Sequence, residues 1–196
     1  YLLNKPAAAQ SVIRAGYIGV ARDHPDYLTL GLLNYLFGGQ FTARLNLNLR
    51  QNKGYSYGYS SWIEWHRRSS LMLAGGGVQT SVTREAVQET LKEFRDIGGE
   101  RPVDEGEFES AKDGLLRQFP SSFETSWQVL DRMAQIVFNE LPGDYYRSLP
   151  TDIEAVSMAD VHRAALEHVV SDRLTVLVVG DSYEVKTGLK ELGLTL

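Results

Sequence analysis

The residues best suited to hold a ligand are an arginine and the tyrosines that follow it in LRQNKGYSYGYS, residues 49–60. Tyrosine stands at every second position there, which predicts a β-strand carrying Tyr55, Tyr57 and Tyr59 on one face. Arg50 precedes that strand. A guanidinium donates two hydrogen bonds in a fixed orientation, and a neutral phenol donates one without adding a formal charge. The stretch therefore suits a binding site, although a sheet packing its aromatic side against helices would show the same alternation.

The histidines lack the spacing of a zinc motif. The segment HRAALEH contains His162, Glu167 and His168. Zinc sites of the H-x-x-E-H type need two histidines four residues apart, so that both imidazoles project from one helical face. Here the histidines are six residues apart, which is about 240° around a helix with 3.6 residues per turn. Ala164 occupies the position that would complete the motif, so the sequence predicts no metal site in this chain.

Other catalytic patterns are missing as well. The sequence contains no G-x-S-x-G nucleophile motif. The glycines of AGGGVQT, residues 74–80, are not followed by the Lys-Ser/Thr pair of a phosphate-binding loop. There is no cysteine, which excludes disulfides, thiolate catalysis and thiolate metal sites. Taken by itself, the sequence shows no complete catalytic apparatus.

Size and charge restrict the class of protein. The 196 residues fit one domain, and 43% hydrophobic with 23% charged residues is ordinary globular composition. The net charge is −5 and no stretch clusters lysine and arginine, which argues against a nucleic-acid partner. No apolar run approaches the roughly 20 residues that cross a bilayer, so no membrane span is expected. The first residue is Tyr1, and we expect the sequence to be a piece of a longer chain.

The first half of the sequence reads as strands with intervening helices. Residues 10–20, QSVIRAGYIGV, are rich in β-branched residues and predict a strand. Pro25 opens a helix that ends at the glycines beginning with Gly38. A short helical segment over FTARLNLNLRQ follows, and then two strands are predicted, at about residues 55–65 and 70–76.

The second half is mainly helical. One helix has an apolar stripe at helical spacing through residues 87–97, and the next begins at Asp104, which with Glu107 resembles a capping box. Ser121 with Glu124 is expected to start a further helix, and Ser157 another. The apolar stripe of the helix after Ser121 consists of Trp127, Leu130, Ala134 and Val137.

The last predicted element is a strand, RLTVLVVG at 173–180, whose nearly continuous apolar run is typical of a strand covered on both faces. The resulting order is β–α–α–β–β–α–α–α–α–β. It predicts an α+β fold, a two-layer sandwich in which one mixed, mostly antiparallel sheet is covered by helices on one face.

Several stretches together resemble the pitrilysin/insulinase family of zinc metallopeptidases, which includes mitochondrial processing peptidase. GGQFTARLNLNLRQNKGYSYG, residues 38–58, resembles the signature G-G-x-x-S-R-L-x-x-x-x-R-E-x-x-G-L-x-Y of that family's second-type, non-zinc domain. VDEGEFESAKDGLLRQF, residues 103–119, resembles its helix with an acidic start and an E-x-x-K pattern. The opening strand and helix and the closing helices and strand are similar too, so the resemblance spans about residues 5–181.

The resemblance implies an enzyme built from paired homologous domains. One domain type binds zinc through H-x-x-E-H, and the other contributes an arginine and a tyrosine, seven residues apart, that contact the substrate backbone. These two residues fall on Arg50 and Tyr57. Residues 1–181 are therefore expected to be the non-zinc, substrate-binding domain, with residues 182–196 as a C-terminal tail or the start of a connecting helix.

The resemblance also implies the partners and the chemistry. We expect no cofactor in this chain, zinc in a homologous domain or subunit, an extended peptide as substrate, and Tyr57 as a hydrogen-bond donor to the transition state. The chain alone would be inactive. Departures from the family pattern occur at Thr42, at Gln51 and at Tyr55, and the loss of a charge at Gln51 affects the surroundings of Arg50.

Two other functions remain open at the level of sequence. Some relatives of this family are non-proteolytic structural core subunits of membrane complexes, and this is the alternative function for the chain. A zinc peptidase in its own right would need stoichiometric zinc in the isolated chain, which the histidine spacing does not favour. The compartment is not determined by the sequence; bacterial cytoplasm or periplasm is the expectation.

Overall fold

The computed structural model describes residues 1–195 and contains one five-stranded sheet. The strands are β1 (Leu2–Asn4), β2 (Gln10–Gly19), β3 (Ser56–Trp65), β4 (Ser70–Gln79) and β5 (Thr175–Gly180). Their order across the sheet is β1-β5-β2-β4-β3, so β3 lies at one edge. Only β1 and β5 are parallel; the other neighbours are antiparallel. The expectation of a mixed, mostly antiparallel sheet is confirmed.

Eight helices accompany the sheet among the described residues. They are α1 (Tyr27–Asn34), α2 (Arg44–Asn46), α3 (Thr83–Asp96), α4 (Glu105–Gln118), α5 (Ser126–Phe138), α6 (Tyr145–Ala155), α7 (Met158–His168) and α8 (Ser182–Glu191). Two of them continue as wider, π-helical turns, α1 over Tyr35–Gly39 and α2 over Leu47–Asn52. The α+β class predicted from the order of the elements is therefore confirmed.

The core lies between one face of the sheet and the helices. Alternation along β2 buries Ile13 and Ala15 completely, and β4 adds Ala74 to the same layer. From the helical side, Phe37 and Phe94 pack edge to face with ring centroids 4.8 Å apart. Burial of such large apolar side chains is the main favourable term in folding.

The second face of the sheet is not fully covered. This face carries an apolar set that the strand register places side by side: Leu3, Val12, Ile18, Leu71, Leu73 and Val179. Ile18 is 74% exposed and Val12 is 40% exposed. On β5, Val176 and Val178 are buried whereas Leu177 and Val179 are only half-buried. The expectation that this strand is covered on both faces is therefore wrong for the described chain.

The helix starts agree with the sequence at two places and differ at one. Asp104 with Glu107 forms the expected capping box, and Ser157 caps α7 together with Asp160. The helix expected to begin at Ser121 begins instead at Ser126, behind a capping box of Thr125 and Gln128. Pro120–Phe123 form a short 3₁₀ turn before it, because the proline fixes φ and favours a turn start.

Helix α5 exposes the apolar stripe that its sequence carries. Trp127 is 77% exposed, Leu130 54% and Val137 78%, and no residue of α5 is buried. Its polar side faces the domain, where Gln128, Arg132 and Gln135 line a cleft next to α6. An amphipathic helix normally turns its apolar side toward a core, so α5 is inverted within the described chain.

Helix α8 continues the chain beyond the boundary expected at residue 181. Asp181 caps it by accepting a hydrogen bond from the backbone N–H of Tyr183. Its apolar residues Val185 and Leu189 are buried and belong to the same core as the sheet and α3. The helix thus packs on the body of the domain.

Candidate functional site

Arg50 lies on the π-helical end of α2, close to the surface. The wide turn is marked by the hydrogen bond from Lys53 N–H to Asn48 O, which spans five residues at 3.0 Å. Leu49 is completely buried and anchors the turn, while Arg50 is half-buried. Its guanidinium carbon stands 4.3 Å from the ring centroid of Phe41, an exposed aromatic. This cation–π contact restrains the guanidinium against the ring.

The donors of Arg50 are not used up inside the chain. Its Nη1 atom is buried and has no hydrogen-bond partner among the described residues. A buried N–H without an acceptor costs about 1–3 kcal/mol, so a stable protein keeps such a group only where something else compensates. The Arg50 guanidinium makes no hydrogen bond or ion pair among the described residues, and the side chain as a whole is only half-buried, so it keeps donors for an acceptor from outside the described chain.

Arg44 provides a contrast only six residues earlier. It is 4% exposed, and its guanidinium holds Glu107 by a two-pronged ion pair. The same guanidinium donates to the carbonyls of Arg101 at 2.6 Å and Pro102 at 2.8 Å. Arg44 thus connects α2 to the start of α4, and its donors are engaged in hydrogen bonds within the chain.

A tight turn brings the chain from Arg50 into β3. Gly54 adopts φ +67°, a left-handed conformation that glycine accepts without a steric penalty. Its N–H donates to Arg50 O at 3.2 Å, and Tyr55 N–H donates to Leu49 O at 2.8 Å. These bonds end the helix and start the edge strand within a few residues of the arginine.

A β-bulge then separates the tyrosines. Ser56 pairs with Val78 and Tyr59 pairs with Gly76, so Tyr57 and Gly58 together oppose the single residue Gly77. The extra residue reverses the alternation of faces. Tyr59 is 1% exposed, and its hydroxyl is 2.7 Å from Thr90 Oγ1, whereas Tyr57 is 87% exposed. The prediction that Tyr55, Tyr57 and Tyr59 share one face is wrong, and Tyr57 alone is presented to solvent.

Hydrogen bonds from two side chains hold this bulge. Ser56 Oγ accepts from Gly58 N–H at 3.1 Å and lies 2.7 Å from Gly77 O. Tyr59 N–H donates to Asn46 Oδ1 at 3.2 Å, and Asn46 Nδ2 donates to Phe41 O at 2.7 Å. Asn46 is 5% exposed. It therefore links the backbone of Phe41, whose ring contacts Arg50, with the strand that carries Tyr57.

The sequence analysis did not identify Asn46 or the bulge. A usable signal in the sequence is the pair Gly58 and Gly76, which lie on the neighbouring strands β3 and β4 next to the bulge. A Cβ on Gly76 would lie 2.4 Å from Gly58 O, so the two backbones approach too closely for any side chain. Glycine within a strand pattern often marks such a bulge or close approach.

Two of the histidines, His24 and His168, meet at Asp26, whereas His162 makes a separate contact. His162 Nε2 lies 2.6 Å from Val103 O, and His168 Nε2 lies 2.7 Å from Asp26 Oδ2. His24, Asp26 and His168 do bring three possible ligand atoms within 4.8 Å of one another. However, Arg163 holds both carboxylate oxygens of Asp26, at 2.5 and 2.9 Å, and His24 Nδ1 accepts the N–H of Asp26.

The ion pairs and hydrogen bonds of Asp26 connect the start of α1 with the end of α7. The hydrogen bond from Arg163 holds the pKa of the Asp26 carboxyl well below its usual range, and the contact with His168 acts in the same direction. A buried carboxylate with these partners remains ionised. Because a guanidinium already occupies the carboxylate, the cluster is better suited to structure than to a cation.

Comparison with known proteins identifies the family. The protein family described as "Peptidase M16 inactive domain" matches residues 1–115, which is more than half of the chain. The chain therefore belongs to the peptidase M16 inactive-domain family, and the resemblance inferred from the motifs is confirmed.

A curated relative and two solved structures agree with this assignment. The chain is 24% identical over 183 residues to YmxG of Bacillus subtilis, described as an uncharacterized zinc protease, covering 90% of this chain and 43% of that protein. The structure of the peptidase M16 inactive domain from Pseudomonas fluorescens superposes with a TM-score of 0.83 at 20% identity, covering 92% of this chain and 43% of that one. A chain of complex III2 from Candida albicans gives 0.80 at 14% identity, covering 98% and 48%.

The chain spans less than half the length of YmxG and of each of these two solved chains. Within residues 1–195, no helix is both long and apolar enough to cross a membrane.

Proposed function

We propose that this chain is the zinc-less, substrate-binding half of a zinc metalloendopeptidase. It works with a homologous domain or subunit that carries the H-x-x-E-H motif and the zinc. The observation that carries the proposal is the half-buried guanidinium of Arg50, whose donors have no acceptor among residues 1–195. Membership in the inactive-domain family supports it further.

Arg50 would anchor the peptide main chain. Its guanidinium lies against the Phe41 ring, and a guanidinium restrained in this way can donate paired hydrogen bonds to a carbonyl or carboxylate. Since less rotamer freedom remains to be lost on binding, the anchoring contact is more favourable.

Tyr57 would supply a donor during the reaction. Hydrolysis of a peptide bond builds negative charge on the scissile carbonyl oxygen, and a donor aimed at that oxygen lowers the barrier. Tyr57 is 87% exposed on the bulge, available to a substrate lying across the edge of the sheet. A neutral phenol can make this contact without adding a charge.

Two apolar surfaces support a homologous partner. One is the stripe of α5, and the other is the second face of the sheet described above. Exposed apolar patches of this kind mark interaction sites. The chain spans 43% of the length of its curated relative, so another domain of comparable size is the proposed occupant.

The decisive test is the turnover of a peptide by the enzyme reconstituted with its zinc-bearing partner. Tyr57→Phe is expected to lower kcat by about 10²–10³, and Tyr183→Phe, which changes an equally exposed tyrosine on α8, is the matched control. Unchanged turnover by Tyr57→Phe would remove Tyr57 from the mechanism.

The role of Arg50 is separable by kinetics. Arg50→Ala is expected to raise KM more than it lowers kcat, because the anchoring contact exists before the transition state as well as in it. Arg117→Ala on the exposed side of α4 serves as the control. An unchanged KM would leave Arg50 as part of the scaffold only.

The second candidate function is a structural core subunit of a membrane complex without peptidase activity. The observation that favours it is the similarity to a chain of complex III2 at a TM-score of 0.80. The two functions differ in two outcomes: a structural subunit would co-purify with membrane proteins, and its Tyr57→Phe variant would have no catalytic phenotype.

A further inference from the structure

A cavity of about 200 Å³ lies between the sheet and the helices, away from Arg50 and Tyr57. Its walls come from the end of β2, the start of β4, α1 and the end of α7. It is also lined by Ile63 on β3, six residues from Tyr57, which is roughly 20 Å along a strand. The cavity is therefore distinct from the proposed peptide site.

The interior of the cavity is apolar. Leu30, Leu33, Phe37 and Met72 line it, and each of these side chains belongs to the buried core. An engineered cavity of about 150 Å³ with Leu, Ile and Phe walls holds a benzene molecule. The space here suits an apolar group of the size of one aromatic ring.

The opening of the cavity is polar and carries an available cation. Arg173 is exposed and lines the cavity, and its side chain forms no ion pair within the described residues. The acidic side chain at the opening, Glu167, is already engaged by Arg163 at 2.9 Å. His168, also at the opening, is held by Asp26. Arg173 is thus the cation left to meet an anion.

A second donor lines the same cavity. The hydroxyl of Tyr17 makes no hydrogen bond within residues 1–195, although the side chain is largely enclosed. Burial raises the pKa of Tyr17 above its ordinary value, so the phenol stays protonated and can donate. This hydroxyl lines the cavity and has no protein partner among the described residues, so it is available to an acceptor on a ligand.

We infer that this cavity binds a small organic carboxylate whose apolar part is about the size of one aromatic ring. The ring or short chain lies among Leu30, Leu33 and Met72, and the carboxylate is held by Arg173 at the opening. Apolar walls supply most of the affinity, and the few polar groups fix the orientation of the ligand.

The experiment uses phenylacetate as the probe, with benzyl alcohol as its neutral analogue and acetate as the analogue without a ring. Calorimetry gives the dissociation constants, and the methyl resonance of Met72 reports whether the ligand is in the cavity. Phenylacetate should bind at least about tenfold more tightly than benzyl alcohol, acetate should not bind measurably, and the Met72 resonance should shift.

Two variants separate the contribution of the charge from that of the apolar walls. Arg173→Gln should weaken phenylacetate about tenfold and leave benzyl alcohol unchanged, whereas Arg117→Gln should change neither. Leu33→Phe fills the cavity and should abolish binding of both, with thermal unfolding recorded to verify the fold. Equal affinities of phenylacetate in wild type and Arg173→Gln, or a Met72 resonance that does not move, would overturn the inference.

Discussion

At the scale of single residues, the two arginines of α2 show how context decides the role of a side chain. Arg44 has a carboxylate and two carbonyls as partners, whereas Arg50 has an aromatic ring and a buried nitrogen without an acceptor. Both stand in the family signature, and the sequence alone does not say which one is free to bind. The difference arises because Arg44 faces α4 and Arg50 lies near the surface.

The first prediction compares these two arginines by chemical denaturation. Arg44→Met should lower the free energy of unfolding by about 3 kcal/mol, because Glu107 and two carbonyls lose their partner. Arg50→Met should leave it unchanged or raise it by up to about 1–3 kcal/mol, since it removes a buried donor that has no acceptor. Similar losses in both variants would contradict the assignment of Arg50 to binding.

The second prediction concerns Asp26 and pH. Its pKa is lower in the folded state than its ordinary value because Arg163 holds the carboxylate. The stabilisation is therefore fully present above the unfolded pKa of about 4 and is lost as the pH falls toward the folded value. Asp26→Asn should be less stable at neutral pH and should lose less stability than wild type between about pH 4 and pH 2. If urea denaturation gave the same dependence of the free energy of unfolding on pH for Asp26→Asn and for wild type, the ion pair would not contribute to stability.

At the scale of elements, the sequence predicts regular helices and strands well, and it predicts poorly where a bulge interrupts a strand. The content of β-branched residues places β2, the strand predicted at about residues 70–76 corresponds to β4, and the capping residues Asp104 and Ser157 mark their helices correctly. The alternation of tyrosines fails on β3, because a bulge depends on how the neighbouring strand and Asn46 meet it. That contact joins residues distant in sequence, and local periodicity carries no information about it.

The third prediction tests Asn46 as the positioning residue of this bulge. Asn46→Ala should cost about 2 kcal/mol, because it leaves Tyr59 N–H and Phe41 O without a partner. Asn46→Asp retains an acceptor for Tyr59 N–H and loses the donor to Phe41 O. Amide hydrogen exchange at Tyr59 should therefore speed up in Asn46→Ala and much less in Asn46→Asp; equal exchange in both variants would rule out this role.

At the scale of the whole molecule, the described chain has a complete core on one side of its sheet and apolar surfaces elsewhere. The sequence analysis found the stripe of α5, and its exposure appears only in the structure. The reason is physical: periodicity shows that a helix has an apolar face, and not which partner covers it. Among residues 1–195 nothing covers this face of α5.

The last prediction follows from this exposure. A combined variant of α5, Trp127→Gln, Leu130→Gln and Val137→Gln, removes apolar side chains that are 54% to 78% exposed. Surface changes of this kind usually alter stability little, so the isolated chain should unfold at nearly the same temperature as wild type. Association with the zinc-bearing domain should weaken by at least about 100-fold, because buried aromatic and aliphatic anchors dominate interface energy.

The control is Leu166→Gln on α7, which removes an apolar side chain that is 68% exposed and does not belong to the α5 stripe. It should leave association unchanged, as measured by calorimetry or analytical ultracentrifugation of the two components. If the α5 variant unfolded at a markedly lower temperature, the stripe would be packed within this chain in solution. If it associated as tightly as wild type, the partner would use another surface, and the half-exposed second face of the sheet, with Ile18 at its end, would be the next to change.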